Sequence, residues 1–464
     1  MEFVGREQEQ KLLKKFYDDG DRIAALVYGR RRIGKSELLK ISSRNVGCRF
    51  IYFECKQTSE INNVNSLART ISEEWGMPSF SFSGVEEIFE YLFRAAEKEK
   101  IIVIIDEYNY MHDTVKGLDS IFQILIDRYK GKTGLKLVFC GSMVSTMRNL
   151  LEESNPLFGR IDTVIELKPM NYIDSAKFYP GFSPEDRVRI YSVFGGIPYY
   201  NRLVDDGKSV RENIKELITE PGARFENEIS MYLRSEINRI INANEVFETM
   251  AGGYSRFSDI LSQSHVSSSP TLVDVLDKLM KMGLVTKVAP INDENSRKKA
   301  GYYIDDNLSL FYYKYVFRHA SARAIMNPDD FFDRYVAEDF EAQHVPCIFE
   351  KICREYLVEK NKGGQMEVPF EKIGKYYYDD PKSRTNGEFD VVTKDENGYI
   401  FYEAKFKSHR VSLKDVQEEI EQVKAAGLNC YKYGFFARCG FEDDVPEDII
   451  RIELEDMFYS ERQK

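Results

Sequence analysis

The chain has 464 residues, of which 43% are hydrophobic and 30% are charged, and its formal net charge is −11 at pH 7. This length allows two to four domains of roughly 100–200 residues each, and the composition excludes a disordered or collagen-like chain. The sequence has no apolar run of about 18 residues, which argues against a membrane span. The acidic balance argues against a protein that coats nucleic acid non-specifically, while a local basic face stays open.

The N-terminus and the cysteines predict a cytoplasmic protein. The first residues, Met1 to Arg6, contain neither a basic region nor an apolar core and so do not resemble a secretory signal. The seven cysteines are scattered and include no C-x-x-C pair. This pattern fits reduced thiols better than a disulfide framework or a cysteine-bound zinc.

The first 170 residues alternate short apolar runs with helical patterns. Strands are predicted at residues 23–28, 50–53, 101–105, 135–140 and 164–167. A helix is predicted from Lys35 to Ser43. Continuous β-branched runs between helices indicate strands that are buried on both faces. Residues 1–170 are therefore predicted to form an α/β domain with a parallel sheet.

The middle of the chain is predicted to contain two smaller domains. Residues 171–240 form a helical lid, with Asn171 as the N-cap of one helix and Pro184 in the first turn of another. Residues 241–325 form a winged helix–turn–helix. The features that suggest a wing are strands at residues 283–285 and 301–304 and a polar tip at residues 292–299.

Residues 335–464 are predicted to form a C-terminal α/β domain. Its expected elements are a helix at residues 349–358, strands at 387–393 and 399–406, a helix at 413–425, a strand at 432–437 and a polar tail. The Asn397-Gly398 pair between two alternating apolar runs is a strong hairpin signal. The first two strands are therefore expected to pair antiparallel.

A phosphate-binding loop is predicted at residues 29–36, which fit G-x-x-x-x-G-K-[ST] without deviation. The glycines let backbone N–H groups face phosphate oxygens, Lys35 reaches the β- and γ-phosphates, and Ser36 places its hydroxyl on Mg²⁺. The residues predicted to bind the nucleotide here are Gly29, Arg30, Arg31, Arg32, Ile33, Gly34, Lys35, Ser36 and Glu37. The motif follows a predicted strand and opens a predicted helix, as it requires. The alternative is a glycine-rich turn with surface arginine and lysine.

Polar residues follow two further strands of the predicted sheet. Asp106 and Glu107 end the run at residues 101–105, at the carboxyl edge where ligands bind in open α/β sheets. Asp106 is predicted to hold Mg²⁺, often through water, and Glu107 to polarise the attacking water. Ser142 follows the next strand and is a candidate sensor of the γ-phosphate. The alternatives are an ordinary helix N-cap pair and a turn-forming Gly-Ser.

Taken together, these motifs resemble the P-loop ATPases of the AAA+/STAND type. They resemble more closely a prokaryotic family of predicted ATPases that carry a C-terminal domain of unknown function, DUF234. The matching segments are residues 3–7, 28–36, 104–107, 140–142, 158–160, 195–200, 303–307 and 310–312. The resemblance covers nearly the whole chain and implies an ATPase with ATP and Mg²⁺ as its cofactors.

The resemblance also implies roles for residues outside the loop. Val4, Gly5 and Arg6 would lie against the adenine and ribose. Pro198 belongs to a G-x-P element that packs on the nucleotide from the lid. Arg160 would be the sensor or finger arginine that acts on the γ-phosphate, and a salt-bridged surface arginine is the alternative.

A second constellation lies in the C-terminal domain, where Asp390, Glu403 and Lys405 form D-x12-E-x-K. Glu403 and Lys405 are two residues apart on a strand and so share a face. Asp390 lies on the partner strand, and Glu350 on the preceding helix adds a carboxylate. This set predicts a Mg²⁺ site with Asp390, Glu403 and Glu350 as ligands and Lys405 as the residue that orients water. It resembles the PD-(D/E)xK nuclease superfamily; the alternative is a solvated hairpin face.

Two functional hypotheses follow. The first is a Mg²⁺-dependent ATPase switch in which Lys35 and Glu107 act in hydrolysis and the C-terminal domain binds or cleaves nucleic acid, with DNA as a candidate partner. The second is a regulatory scaffold with slow ATP turnover and a catalytically silent C-terminal domain. A second copy of the chain or another protein is a further candidate partner, and no membrane partner is expected.

Overall fold

In a computed structural model, the chain forms two compact units. The described residues are 3–44, 46–236, 241–296, 298–380 and 385–459. The first unit is Met1–Pro169 together with Ile197–Tyr199, and the second is Met170–Gly196 together with Tyr200–Lys464. The predicted lid boundary at residue 240 and residue 297 of the predicted wing tip lie outside the described residues. The predicted domain boundaries stay predictions.

The first unit contains a sheet of five parallel strands. They are β1 (Ala24–Tyr28), β2 (Arg49–Glu54), β3 (Ile101–Asp106), β4 (Leu135–Gly141) and β5 (Thr163–Glu166). Their order across the sheet is β2-β3-β4-β1-β5. Every residue of β1, β3 and β4 is buried, because helices cover both faces of a parallel sheet. The predicted α/β fold class is confirmed.

Within the described residues, one helix precedes β1 and six helices lie in the connections between the strands. They are α1 (Glu7–Asp18), α2 (Lys35–Arg44), α3 (Glu60–Trp75), α4 (Val85–Ala95), α5 (Tyr108–Thr114), α6 (Leu118–Tyr129) and α7 (Val144–Asn149). Apolar side chains of α3, α4 and α6 pack with those of β3 and β4 in one core. Because α2 follows β1 directly after residues 29–34, its N-terminus lies at the carboxyl edge of the sheet.

The second unit begins with short helices. They are α8 (Tyr172–Ala176), α9 (Pro184–Phe194), α10 (Pro198–Asn201), whose first two residues belong to the first unit, α11 (Val210–Ile214) and α12 (Glu228–Glu236), with a π-helical turn at Lys215–Thr219. The Asn171 side chain accepts a hydrogen bond of 2.9 Å from the backbone N–H of Asp174, so the predicted cap of α8 is confirmed. Pro184 lies in the first turn of α9, also as predicted.

Three helices precede a small two-stranded sheet. They are α13 (Ile241–Ala251), α14 (Phe257–Gln263) and α15 (Ser269–Lys281), followed by β6 (Val285–Val288) and β7 (Gly301–Ile304). The two strands pair antiparallel, with Val285 opposite Ile304. This order is the one expected of a winged helix–turn–helix, and that assignment stays a prediction.

The C-terminal part is built on a mixed sheet of five strands. They are β8 (Lys372–Asp380), β9 (Thr385–Asp395), β10 (Gly398–Lys405), β11 (Cys430–Ala437) and β12 (Ile450–Glu453), in the order β12-β11-β10-β9-β8. The hairpin β9–β10 is antiparallel, as predicted, and β10 pairs parallel with β11. The expectation of a polar tail is wrong, because β12 pairs with β11 and is followed by a helix.

Six helices are found in this part of the chain among the described residues. They are α16 (Asn307–Phe311), α17 (Ala320–Ile325), α18 (Pro328–Phe332), α19 (Val345–Lys362), α20 (Leu413–Ala425) and α21 (Leu454–Phe458), with π-helical turns at Tyr312–Phe317, Asp333–Ala337 and Phe340–His344. Helices α19 and α21 pack against the mixed sheet. All seven cysteines carry free thiols. No helix among the described residues is long and apolar enough to cross a membrane.

Candidate functional sites

The loop between β1 and α2 has the backbone that a phosphate cradle requires. Gly29 has a φ of 156°, and a Cβ on it would lie 2.4 Å from the carbonyl oxygen of Leu167. Gly34 has a φ of 92°, in the region that side chains disfavour. The two glycines of the motif are therefore required by the fold of the loop itself.

Charged side chains on both sides of the loop bond to its backbone. The buried Lys35 ammonium donates to the carbonyl oxygens of Gly29 at 2.9 Å and Arg30 at 3.1 Å. The buried Arg6 guanidinium donates to the carbonyl of Ile33 at 3.2 Å. The structure thus brings the predicted N-terminal segment against the loop, as the resemblance implies.

Asp106 forms a hydrogen-bonded cluster with the loop at the end of β3. Its Oδ2 accepts from the hydroxyl of Ser36 at 2.6 Å and from the hydroxyl of Tyr52, and its Oδ1 accepts from the backbone N–H of Glu107 at 2.9 Å. Burial raises the pKa of Asp106, but hydrogen bonds from Cys140, Ser36 and Tyr52 bring this pKa below its usual value. The carboxylate is therefore ionised at neutral pH. A hydroxyl beside an ionised carboxylate fits the oxygen ligands that Mg²⁺ prefers.

Glu107 lies beside this cluster and is held by the neighbouring strand. Ser142, which follows β4, donates a hydrogen bond of 2.5 Å from its hydroxyl to Oε1 of Glu107. Glu107 has a φ of 51° and precedes α5, but its carboxylate is engaged by Ser142 rather than by the helix N-terminus. This contact favours the functional interpretation of the acidic pair over an ordinary N-cap.

The segment Ile197–Tyr199 groups with the first unit and lies near the loop. The Cγ of Pro198 is 3.8 Å from the position that a Cβ on Gly34 would take. The Arg32 guanidinium lies over the Tyr199 ring, 4.3 Å from its centroid. Pro198 is thus near the loop, as the resemblance implies.

Arg160 is not brought to the loop. Its guanidinium pairs with Asp127 on α6, with Nη2 2.9 Å from Oδ2. Its neighbour Asp162 accepts from the backbone N–H of Ala24, at the start of β1. Since the loop follows the other end of β1, Arg160 lies at the opposite edge of the sheet. A contact with the γ-phosphate of its own chain is not supported, and a role across a subunit boundary stays a prediction.

The sequence did not reveal two other residues near the loop. Tyr52 lies on β2 opposite Ile104 and bonds to Asp106 from the adjacent strand. Arg148 on α7 pairs with Glu166 at 2.6 Å, next to the carboxyl end of β1. Neither residue belongs to a sequence motif. The order of the strands brings Tyr52 close to Asp106, and the fold brings Arg148 on α7 close to Glu166. The predicted nucleotide-binding residues Arg31 and Glu37 have exposed side chains.

The hairpin β9–β10 carries the second predicted site. The Lys405 ammonium is 3.0 Å from Glu403 and 2.6 Å from Glu419 on α20. Burial raises the pKa of Glu403, and the charge of Glu419 raises it further. Burial lowers the pKa of Lys405, but Glu403 and Glu419 bring it above its usual value. Glu403 and Lys405 therefore lie on one face of the strand, as predicted. Glu419 is a further acidic residue of this site that is not part of the sequence motif.

Asp390 is paired with a lysine that the motif also lacks. Lys375 on β8 lies 2.5 Å from the Asp390 carboxylate, and Arg354 on α19 donates to the Asp390 carbonyl at 2.7 Å. Burial, followed by the charge of Asp390, raises the pKa of Glu350 to about 8. The charge of Glu403 acts on Glu350 in the same direction. Helix α19 and the hairpin thus bring Glu350, Asp390 and Glu403 into one cluster.

The cluster is held together by ion pairs. Within the described part of the chain, no group of three or more His, Cys, Asp or Glu side chains has the arrangement of a metal site. Lys375 and Lys405 neutralise Asp390 and Glu403 instead. The assignment of Mg²⁺ to Glu350, Asp390 and Glu403 stays a prediction.

Comparisons with known proteins find similarities for both regions. Residues 3–203 match an ATPase domain found predominantly in Archaea, and residues 312–420 match DUF234, archaeal and bacterial proteins of unknown function. An uncharacterised protein of Methanocaldococcus jannaschii is 28% identical over 461 residues, which cover 98% of this chain and 99% of that protein. A second uncharacterised protein of this organism is 33% identical over 82 residues, 17% of this chain and 80% of that protein.

Solved structures share the fold of the first part of the chain. The Walker-type ATPase of Pyrococcus abyssi superposes with a TM-score of 0.51 at 20% identity, covering 67% of this chain and 96% of that chain. At this identity the likeness shows the fold alone. It agrees with the parallel five-stranded sheet and the loop after β1.

Proposed function

We propose that this chain, which combines a P-loop ATPase domain with a DUF234 domain, is a Mg²⁺-dependent ATPase switch of the AAA+/STAND type whose C-terminal domain acts on nucleic acid. The observation that carries the proposal is the contact between Ser36 and Asp106 at 2.6 Å. It joins the phosphate-binding loop to an ionised carboxylate on a different strand. Glu107 follows Asp106 directly and is positioned by Ser142.

The residues of the first unit have distinct roles in hydrolysis. Lys35 exchanges its bonds to the loop carbonyls for the β- and γ-phosphate oxygens and stabilises the charge that develops there. Ser36 and Asp106 hold Mg²⁺, which neutralises phosphate charge when bound. Glu107 accepts a hydrogen bond from the attacking water and orients it in line with the γ-phosphate.

The test is ATP turnover of the wild type, Lys35→Ala and Glu107→Gln, each with and without DNA. We expect Lys35→Ala to lose ATP binding and Glu107→Gln to bind ATP but lose turnover, because only the second residue acts on the water. Stimulation by DNA would support coupling to nucleic acid. Tight binding with negligible wild-type turnover, unaffected by DNA, would overturn the hydrolytic switch.

The C-terminal cluster supports a PD-(D/E)xK-like nuclease. Glu350 on α19 feels the charges of Asp390 and Glu403 on the hairpin, and Lys405 lies beside Glu403. In this proposal Asp390, Glu403 and Glu350 hold Mg²⁺, and Lys405 orients the attacking water. Nicking of DNA that is lost in Glu403→Ala and in EDTA would support it; no cleavage with any metal or substrate would overturn it.

A second candidate function is a nucleotide-gated scaffold with a silent C-terminal domain. The observation that favours it is that Lys375 and Lys405 already neutralise Asp390 and Glu403. The two candidates differ in metal binding by the C-terminal cluster. The test measures Mg²⁺ or Mn²⁺ binding in the Lys35→Ala variant, in which the nucleotide site is impaired. Metal binding that is lost when Asp390→Asn is added favours the nuclease.

A further inference from the structure

We infer that a cleft between the β6–β7 loop and the edge strand β8 binds a phosphodiester of single-stranded nucleic acid. The cleft is open to solvent and is lined by Arg256, Lys299, Tyr303, Lys375 and Tyr377. The inference rests on the proposed action of the C-terminal domain on nucleic acid. Beyond the proposed function, the inference identifies the place where the nucleic-acid strand is held and the side chains that hold it.

The walls of the cleft are fixed by backbone contacts. The backbone N–H of Ile291 donates to the carbonyl of Lys375 at 2.7 Å. The Asn292 side chain donates to the carbonyl of Tyr377 at 2.8 Å and accepts from its N–H at 3.2 Å. The loop therefore covers the outer edge of β8. An edge strand that stayed uncovered would expose unpaired backbone groups to other chains. A cleft between such walls is formed before a ligand arrives, which reduces the entropy lost on binding.

Cations and aromatic rings alternate along the cleft. Arg256 lies 5.4 Å and Lys299 5.3 Å from the centroid of the Tyr377 ring. Lys375 lies 5.1 Å from the centroid of the Tyr303 ring. A guanidinium stacked on a ring keeps its N–H edge available for a phosphate. Cations beside tyrosine rings are the groups that hold the backbone and bases of single strands.

The charge of Arg256 is not satisfied by an acid. Lys299 pairs with Asp293 at 3.1 Å, and Lys375 pairs with Glu388 at 2.9 Å. Arg256 has no carboxylate partner among the residues that the structure describes, yet its backbone is fixed by a bridge to Gly301. The charge of this exposed side chain is therefore available to an anionic ligand.

The cleft leads to the carboxylate cluster. Lys375 lines the cleft and also contacts Asp390 at 2.5 Å, and Glu388 lies on the same wall. Lys375 is therefore shared by the cleft and the carboxylate cluster, so a strand held in the cleft lies next to Asp390. This continuity favours nucleic acid over an isolated anion.

The test measures binding of labelled single-stranded DNA and RNA oligonucleotides to the full chain in EDTA, so that cleavage does not interfere. The variants are the double substitution Arg256→Ala/Lys299→Ala and the charge-retaining Arg256→Lys. Lys287→Ala is the matched control, since Lys287 lies over the Tyr302 ring at 5.3 Å outside the cleft. ATP turnover of each variant verifies folding of the first unit, and urea unfolding verifies folding of the second unit, which contains the cleft.

We expect the double variant to bind at least roughly tenfold more weakly and to lower the salt slope by about 1.4, from two contacts at about 0.7 each. Arg256→Lys should bind more tightly than the double variant but more weakly than the wild type, because it keeps the charge and loses the stacked guanidinium. Lys287→Ala should bind nearly as the wild type does. Equal binding by the double variant and the wild type would overturn the cleft and leave the proposed function intact. A wild type that binds no oligonucleotide would overturn both. Full competition by a polyglutamate peptide would indicate an acidic protein partner and overturn the inference.

Discussion

The hydroxyl of Ser142 donates a hydrogen bond of 2.5 Å to the carboxylate of Glu107. The two residues directly follow neighbouring strands, β4 and β3, and so meet at the carboxyl edge of the sheet. This contact joins the predicted sensor to the predicted catalytic glutamate. In the proposed mechanism, the orientation of the Glu107 carboxylate therefore depends on Ser142.

We expect Ser142→Ala to lower kcat for ATP by roughly tenfold with KM nearly unchanged, because a hydrogen bond to a charged group contributes about 1.5–3 kcal/mol. Ser142→Thr keeps the hydroxyl and should restore most of the rate. Steady-state turnover at saturating Mg²⁺ measures both parameters. A rise in KM at constant kcat would mean that Ser142 binds the nucleotide directly.

Tyr52 is expected to determine the Mg²⁺ dependence of the first unit. Its hydroxyl bonds to the same Asp106 oxygen as Ser36, so Tyr52→Phe removes one of the groups that orient this carboxylate. The Mg²⁺ concentration for half-maximal turnover should rise by roughly fivefold to tenfold. Tyr17→Phe is the control, because its hydroxyl contacts Ser42 on α2. An unchanged Mg²⁺ dependence would contradict the positioning role.

The first sheet and the loop could be predicted because their signals are local. β1, β3 and β4 are buried along their whole length and appear as uninterrupted apolar runs, and the loop has a fixed spacing of glycines. Tyr52 could not be predicted, because the position of β2 beside β3 is a tertiary feature. The same holds for Lys375, which reaches Asp390 only through the pairing of β8 with β9.

Two strands of the C-terminal sheet escaped prediction for different reasons. β8 (Lys372–Asp380) lies at an edge and mixes lysines and aspartates with three tyrosines, so it lacks an apolar run. β12 (Ile450–Glu453) has four residues in an acidic segment, too few for a periodic pattern. The central hairpin was predictable because Asn397-Gly398 separates two alternating runs.

Gly29→Ala should destabilise the first unit and abolish ATP binding. The added Cβ would lie 2.4 Å from the carbonyl oxygen of Leu167, and a φ of 156° is unfavourable for alanine. We expect a loss of about 1–3 kcal/mol from backbone strain, with a lower unfolding midpoint. Gly20→Ala is the matched control, since no atom lies within 4 Å of the Cβ it would add. Wild-type ATP affinity in Gly29→Ala would contradict the close approach of the loop to β5.

The second unit should become less stable at acidic pH, because its buried His344 resists protonation. This side chain is buried, its Nε2 lies 2.9 Å from the carbonyl oxygen of Ser192, and burial lowers its pKa from 6.5 to about 4. The unfolded chain therefore takes up the proton first. The stability that neutral His344 contributes is complete above pH 6.5 and is lost as the pH falls toward 4.

At pH 5 this loss should be about 2 kcal/mol, since one pKa unit corresponds to about 1.36 kcal/mol. Urea unfolding at pH 7 and pH 5 measures it in the wild type and in His344→Asn, which has no titrating ring. We expect His344→Asn to be less stable than the wild type at pH 7 but to lose less stability on acidification. Parallel acid dependence in the two proteins would show that other groups determine it.

Because His344 joins the start of α19 to the end of α9, the same variant also tests whether this contact supports the C-terminal cluster. In that case nucleic-acid binding at pH 7 should weaken while ATP turnover stays unchanged.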